Sequence, residues 1–128
     1  MLRAGWPASG ALTSAAGLAG WYRQLIAGRV LRPATLTAAL ATRASGEDRV
    51  LGIESAFGLG FMRPSLTFPT PPAGRDGAFG HTGVGGSIGF ADTSRGLALA
   101  YVPNRMSDDV SGALRAYRLI EAVYESIG

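Results

Sequence analysis

The sequence predicts an α+β fold: an antiparallel β-sheet with packed helices. Apolar residues recur at helical spacing over about 15–27 and again over about 110–126. Between these segments, short alternating apolar stretches separated by glycine-rich turns are typical of strands joined by hairpins. This order, in which helices are followed by antiparallel strands and a last helix, is typical of an α+β domain.

Two helices open the chain. Ser14 is a suitable N-cap for the first helix, and Gly28 follows it as a stop. Among its apolar residues, Trp21 and Tyr22 are expected to pack in the core. Pro33 fits the first turn of the second helix, which ends before the polar stretch 42–49. The residues of this second helix expected to point inward are Leu36, Ala39 and Leu40.

The strands follow. The polar stretch 42–49 is predicted to be a loop, and 56–63 a strand because Phe57, Leu59 and Phe61 alternate. The Pro- and Gly-rich stretch 65–77 is predicted to be an exposed loop. The remaining strand predictions are 78–82 and a hairpin of 86–92 with 96–102 around Thr-Ser-Arg.

The last helix, over about 110–126, is expected to begin after an Asp108-Asp109 cap. One face of this helix carries Leu114, Tyr117, Ile120, Val123, Tyr124 and Ile127. We expect that face to cover the sheet.

Composition excludes several kinds of chemistry. All 12 basic residues are arginine, so the chain has no P-loop, no Schiff-base lysine and no Ser-x-x-Lys pair. No cysteine is present, which excludes disulfides and thiolate sites. Because His81 is the single histidine, no pair of imidazoles can hold a metal. We therefore predict no metal and no cofactor.

Length and charge limit the class of partner. A chain of 128 residues predicts one domain. The net charge is +3, but the arginines are dispersed, and we predict no nucleic-acid binding. No apolar run approaches the length of a membrane span. The N-terminus lacks a continuous apolar segment typical of a secretory signal, which favours a cytoplasmic location.

His81 lies in Phe-Gly-His-Thr-Gly-Val-Gly-Gly, where glycines leave room for a ligand to approach the backbone. Residues 81–84 are either one wall of a substrate cleft or a tight β-bulge with a histidine packed over it. Asn104 is either an amide at the rim of that cleft or a turn-forming residue. A Ser-His-Asp triad using His81 and Asp92 lacks the nucleophile-elbow motif.

The stretch FGHTGVGGSIGFADTSRGLALAYVPNRM, at 79–106, resembles the C-terminal part of the serine β-lactamase and penicillin-binding-protein-like family, nearest the class C β-lactamase and esterase branch. His81-Thr82-Gly83 is similar to the third motif of that branch. Further similarity lies in ASGALTSAAGLAGWYRQLIAG at 8–28, in FGLGF at 57–61 and in the final YESIG. The resemblance implies one partial domain over 1–128, a C-terminal portion of the β-lactamase and transpeptidase-like fold.

The resemblance implies acyl transfer through a serine ester, with a small ester or β-lactam-like substrate. Carried over by that resemblance, His81 would line the site, Thr82 would bond a substrate carboxylate or carbonyl, and Gly83 would leave room for substrate. The backbone N–H of Val84 would be the second oxyanion donor. Asn104 is similar to an asparagine near the substrate carboxylate.

The chain departs from the family by lacking both Ser-x-x-Lys and Tyr-x-Asn. We therefore expect a C-terminal portion that is inactive alone. A non-catalytic module that associates with itself or a partner is the alternative, because a partial sheet exposes an edge. A third possibility is a small esterase using His81 in an unrelated arrangement.

Overall fold

A computed structural model describes residues 11–108 and 113–128 of the chain. The α+β prediction is confirmed, with helices on both sides of antiparallel strands. None of the helices in this described part is long and apolar enough to cross a membrane. The elements are α1 (Ala15–Ile26), α2 (Pro33–Leu40), β1 (Ala44–Glu47), β2 (Glu54–Phe57), β3 (Ala78–Thr82), β4 (Ile88–Asp92), β5 (Leu97–Tyr101) and α3 (Ala113–Ile127).

The main sheet has the order β3-β4-β5, with every pair antiparallel. Successive side chains of β4 point to opposite faces of the sheet, and each face has its own core. On one face, Ala91 packs with Tyr22 and Leu25 of α1. On the other face, Phe90 packs with Ile120 of α3. The predicted strand 78–82 and the hairpin after it are confirmed.

Both N-terminal helices are present where the sequence predicts them. The Ser14 hydroxyl accepts a hydrogen bond from the Gly17 N–H at 3.1 Å. Gly28 takes a φ of 70°, which ends α1 in the left-handed region that glycine favours. Tyr22 is buried as predicted, but Trp21 is 51% exposed. Adjacent residues in a helix point about 100° apart, so Trp21 is turned away from the side of α1 on which Tyr22 is buried. The prediction for Trp21 was therefore wrong.

The prediction of a loop over 42–49 was wrong, since this stretch contains β1. β1 pairs antiparallel with β2, from Ala44 opposite Phe57 to Glu47 opposite Glu54. All residues of β1 are exposed, so no apolar alternation marks the strand. The turn supports the pairing instead, because the Asp48 carboxylate accepts from the N–H groups of Val50 and Leu51.

The predicted strand 56–63 ends early, at Phe57. The Gly58 N–H donates to the Phe61 carbonyl at 2.9 Å and closes a turn, in which Gly60 has a φ of 82°. Leu59 is exposed at the tip of that turn. Apolar alternation here reflects a glycine turn rather than an extended strand.

The predicted exposed loop 65–77 is partly core. Thr67 and Phe68 are buried, and the Phe68 ring stacks on Phe90 with centroids 5.6 Å apart. Proline and glycine favour an irregular backbone, but they do not decide whether the side chains between them are buried.

The face of the last helix is narrower than predicted. Its buried stripe is Ala116, Ile120 and Tyr124, whereas Leu114 and Ile127 are exposed. The start of the predicted helix and Asp109 of the expected cap lie outside the described residues. A helix lying across one flat sheet buries a single line of residues, spaced about one turn apart.

Candidate functional site

The candidate site lies at the end of the sheet where β3 turns back into β4. The Gly83 N–H donates to the Ser87 carbonyl at 2.7 Å, and the Gly86 N–H donates to the Gly83 carbonyl at 3.0 Å. Gly85 has a φ of 89°, which a residue with a side chain rarely adopts. These bonds hold residues 83–86 as a tight connection directly after His81 and Thr82.

His81 is exposed, and its Nδ1 lies 2.6 Å from the carbonyl oxygen of Thr82. A carbonyl oxygen only accepts, so Nδ1 carries the proton and Nε2 is left as the second functional nitrogen of the ring. The His81 and Phe57 rings lie 6.1 Å apart. The β3–β4 register runs unbroken through His81 opposite Gly89, so the strand has no bulge there.

Val84 lies in the turn that follows β3, between Gly83 and Gly86. Within β3, Gly80 and Thr82 direct their N–H groups to Met62, on the side away from β4. Val84 is 71% exposed. Its N–H donates to no acceptor within the ranges 11–108 and 113–128. An exposed turn residue two positions beyond Thr82 therefore carries a backbone donor without a described acceptor.

The Thr82 hydroxyl is turned toward the loop that packs along β3. Its oxygen lies 3.3 Å from the Thr67 carbonyl and 3.5 Å from the Met62 sulfur. The predicted contact of Thr82 with a substrate stays a prediction. Local packing also favours glycine at position 83, because a Cβ there would collide with the Ser87 hydroxyl.

Asn104 is exposed and lies in the segment that follows β5, at the same end of the sheet as His81. The Ser107 N–H donates to the Gly85 carbonyl at 3.0 Å, and the Met106 side chain covers Gly85. The structure thus brings the Asn104 segment beside the turn that carries Val84.

A triad of His81 and Asp92 is contradicted. Asp92 pairs with Ala78, at the opposite end of β3 from His81. It is fully buried, and its carboxylate accepts hydrogen bonds from Ser94 and Tyr124. Asp92 therefore holds the β4–β5 turn against α3.

Residues 81–84 are one candidate wall of a binding site. The clefts of 610 and 530 Å³ in the described part lie elsewhere, since His81, Val84 and Asn104 line neither of them. The wall offers an imidazole and a backbone donor, and its His81 has no hydrogen bond to a serine among the described residues. It can bind and polarise a carbonyl presented to it.

Sequence reasoning did not find the residues that support this wall. Met62 occupies the outer edge of β3, Ser87 fixes Gly83, and Met106 covers Gly85. Met62 and Met106 come from segments distant in sequence, and no local pattern marks Met62 as a contact of β3 or Met106 as a contact of the turn after it.

Comparisons with known proteins place these features in a family. The sequence model described as Beta-lactamase matches residues 1–124. No curated protein matches the chain. Among solved structures, a penicillin-binding protein homolog from Caulobacter crescentus is 40% identical with a TM-score of 0.77, over 89% of this chain and 32% of its own.

Two esterase structures are also similar. A family VIII carboxylesterase is 33% identical with a TM-score of 0.75, over 85% of this chain and 30% of its own. EstA from Arthrobacter nitroguajacolicus Rue61a is 32% identical with a TM-score of 0.76, over 90% of this chain and 32% of its own. The chain spans about a third of the length of these structures, and it belongs to the beta-lactamase family.

Proposed function

We propose that this chain is the C-terminal portion of a serine hydrolase and supplies one wall of its acyl-transfer site. The observation that carries the proposal is the Val84 N–H, which has no described acceptor and belongs to an exposed residue in the turn directly after β3. Because these 128 residues contain no lysine, a Ser-x-x-Lys nucleophile and base would have to lie outside them. We expect the isolated chain to be inactive.

In the proposed reaction, a serine hydroxyl from outside these residues attacks the carbonyl carbon of an ester or β-lactam and gives its proton to a base that also lies outside them. The carbonyl oxygen becomes negatively charged, and the Val84 N–H donates a hydrogen bond to it. As the bond to the leaving group breaks, the leaving group takes up that proton, the carbonyl re-forms and the acyl group stays on serine. Water then attacks the same carbon, the serine oxygen takes up a proton, and the acid is released. Loss of one such donor lowers kcat by about 10²–10³-fold.

The other wall residues act on binding. His81 presents Nε2 on the exposed side, where it can bond the substrate or the leaving group. Gly83 keeps the space above the strand free of a side chain. Thr82 and Asn104 are proposed to bond a carboxylate or carbonyl of the substrate. For Thr82 this requires its hydroxyl to leave Met62 and Thr67.

The purified chain tests the first part of the proposal. It should hydrolyse neither nitrocefin nor p-nitrophenyl esters, and no serine should take up a fluorophosphonate label. Stoichiometric labelling of any serine would contradict the proposal and favour the small esterase that uses His81 in another arrangement.

A chimera tests the second part. This chain replaces the aligned segment of the family VIII carboxylesterase, and the chimera should hydrolyse a p-nitrophenyl ester. Val84→Pro removes the N–H, and we expect kcat to fall by about 10²–10³-fold. Val84→Ala keeps the N–H and is the matched control. Equal rates for the two variants, with equal far-UV circular dichroism, would exclude Val84 as an oxyanion donor.

A second candidate function is a non-catalytic interaction module. The observation that favours it is β5, which pairs with β4 alone within the described residues. An open strand edge is a template for another strand.

A further inference from the structure

The turn that follows β3 fixes the direction in which the Val84 N–H points. Gly83 and Val84 are joined by a trans peptide bond, so the Gly83 carbonyl and the Val84 N–H point in opposite directions. The Gly83 carbonyl accepts a hydrogen bond from the Gly86 N–H at 3.0 Å, which closes the turn. The Val84 N–H is therefore directed away from Gly86. This direction depends on the bond between Gly86 and Gly83.

The sequence of the turn alone does not secure that bond. Gly85 has a φ of 89°, and a positive φ at the third residue is typical of a type II turn. Gly86 follows with a φ of 105°. Because glycine has access to many other backbone conformations, two consecutive glycines closed by one hydrogen bond are not expected to keep a single form. Another part of the chain must hold them.

The segment after β5 supplies that contact. A Cβ built on Gly85 would lie 2.5–3.0 Å from Cβ, Cγ and Cε of Met106, so the Met106 side chain lies directly on the Gly85 backbone. The neighbouring Ser107 N–H donates to the Gly85 carbonyl at 3.0 Å. Gly85 is buried, although Val84 beside it is exposed. The turn is thus clamped at Gly85, directly after the residue that carries the donor.

The backbone that carries Met106 is itself attached to the fold. The Arg115 guanidinium of α3 donates to the Arg105 carbonyl at 3.3 Å. With the bond from the Ser107 N–H, one hydrogen bond therefore holds the backbone on each side of Met106. Met106 is presented to Gly85 from a segment that both α3 and the turn keep in place.

We propose that Met106 is a positioning residue that keeps the Val84 N–H directed toward the oxyanion. The inference rests on the proposed function. Met106 prevents the Gly85 backbone from rotating, and the Gly86 N–H then stays on the Gly83 carbonyl. Rotation of the peptide between Gly83 and Val84 would exchange the donor for a carbonyl oxygen, which repels a negatively charged oxygen. Met106 acts through this peptide and touches no reacting atom.

Hydrogen exchange on the 128-residue chain tests the contact without any activity. Met106→Ala removes the atoms beyond Cβ, whereas Met106→Leu keeps a side chain of similar volume. We expect the Gly86 amide to lose protection in Met106→Ala and to keep it in Met106→Leu. The amides of β4 should stay protected in both variants. Equal protection of Gly86 in the two variants would overturn the inference.

Kinetics of the chimera with the family VIII carboxylesterase test the consequence. Met106→Ala should lower kcat by about 10–100-fold, since a group misplaced by about 1 Å can cost up to that factor. KM should change little, because the oxyanion is formed only as the reaction proceeds. Met106→Leu should restore most of the rate. An unchanged kcat in Met106→Ala, or a loss carried by KM alone, would contradict a role in positioning the donor.

Combining Met106→Ala with Val84→Pro shows whether Met106 acts through the Val84 N–H. Proline is common at the second position of a type II turn, so Val84→Pro removes the donor and suits the turn. Met106→Ala should then lower kcat no further, because two changes that remove one shared interaction are not additive. A further fall of the same size would place the action of Met106 elsewhere. Equal rates for Val84→Pro and Val84→Ala would instead refute the donor itself, and this inference with it.

Discussion

Replacing Tyr124 by phenylalanine tests how α3 is attached to the sheet. The Tyr124 hydroxyl donates to Oδ2 of Asp92, a carboxylate that is fully buried. The other oxygen, Oδ1, accepts from the Ser94 hydroxyl and from two N–H groups, at 2.7–3.2 Å. In the described part of the chain, Tyr124 is thus the one donor to Oδ2. Removing it leaves a buried charged oxygen unsatisfied.

The expected cost follows from that geometry. Phenylalanine keeps the edge-on contact with Phe90, at 6.1 Å between centroids, and the Arg95 guanidinium over the ring. The loss is therefore the hydrogen bond to a buried charge, about 1.5–3 kcal/mol in the free energy of unfolding. For a domain of this size, that corresponds to a fall in Tm of roughly 5–10 °C.

Urea unfolding followed by circular dichroism measures the change, and Tyr117→Phe in the same helix is the control. Tyr117 donates to Glu121 at 3.1 Å near the surface, where water can replace the bond, so we expect little change. If Tyr124→Phe destabilised the protein no more than Tyr117→Phe, Asp92 would have another partner and the reasoning would be refuted.

Three further predictions concern other parts of the fold. Gly89→Ala should lower the free energy of unfolding by about 1–3 kcal/mol in urea titrations, because the new Cβ would collide with the Tyr22 ring; an unchanged midpoint would mean that α1 moves freely over β4. Gly20→Ala, at an open position within α1, should raise the free energy of unfolding by about 1 kcal/mol in the same titrations, and a lower value would show that the position is not open. Burial raises the pKa of Tyr22 to about 12 from an ordinary 10.0. The protonated Tyr22 hydroxyl therefore contributes a part of the free energy of unfolding that is present below pH 10 and should be lost as pH rises from 10 to 12. Tyr22→Phe should lose less stability over that interval, and an equal loss would exclude Tyr22 as its source.

The parts of the fold that the sequence predicts are those with local signals. Ser14, Gly28 and Pro33 mark the ends of helices through their own backbone chemistry, and the β4–β5 hairpin combines apolar strands with a short turn. β1 was not predicted because all its side chains face solvent, and its pairing with β2 is what makes it a strand. The burial of Phe68 was not predicted because a proline-rich sequence indicates the shape of the backbone and not the burial of its side chains.

For the candidate site, the sequence and its family resemblance predict which residues to consider but not their surroundings. His81, Val84 and the Asn104 segment do lie at one end of the sheet. The backbone donor of Val84 lacks a described acceptor, whereas the N–H groups of Gly80 and Thr82 are directed to Met62, a residue distant in sequence. Such information resides in tertiary contacts, which a local pattern does not contain.

The burial of β4 on both faces has a consequence for how the chain folds. One face of this strand is covered by α1, from the start of the described chain, and the other by α3, from its end. Each core joins residues that are far apart in the sequence, Tyr22 with Ala91 on one face and Met62 with Tyr124 on the other. Contacts of such high sequence separation slow folding, because the loop between them must close first. We therefore expect the amides of β4 to become protected late in refolding, after both faces of the strand have been covered.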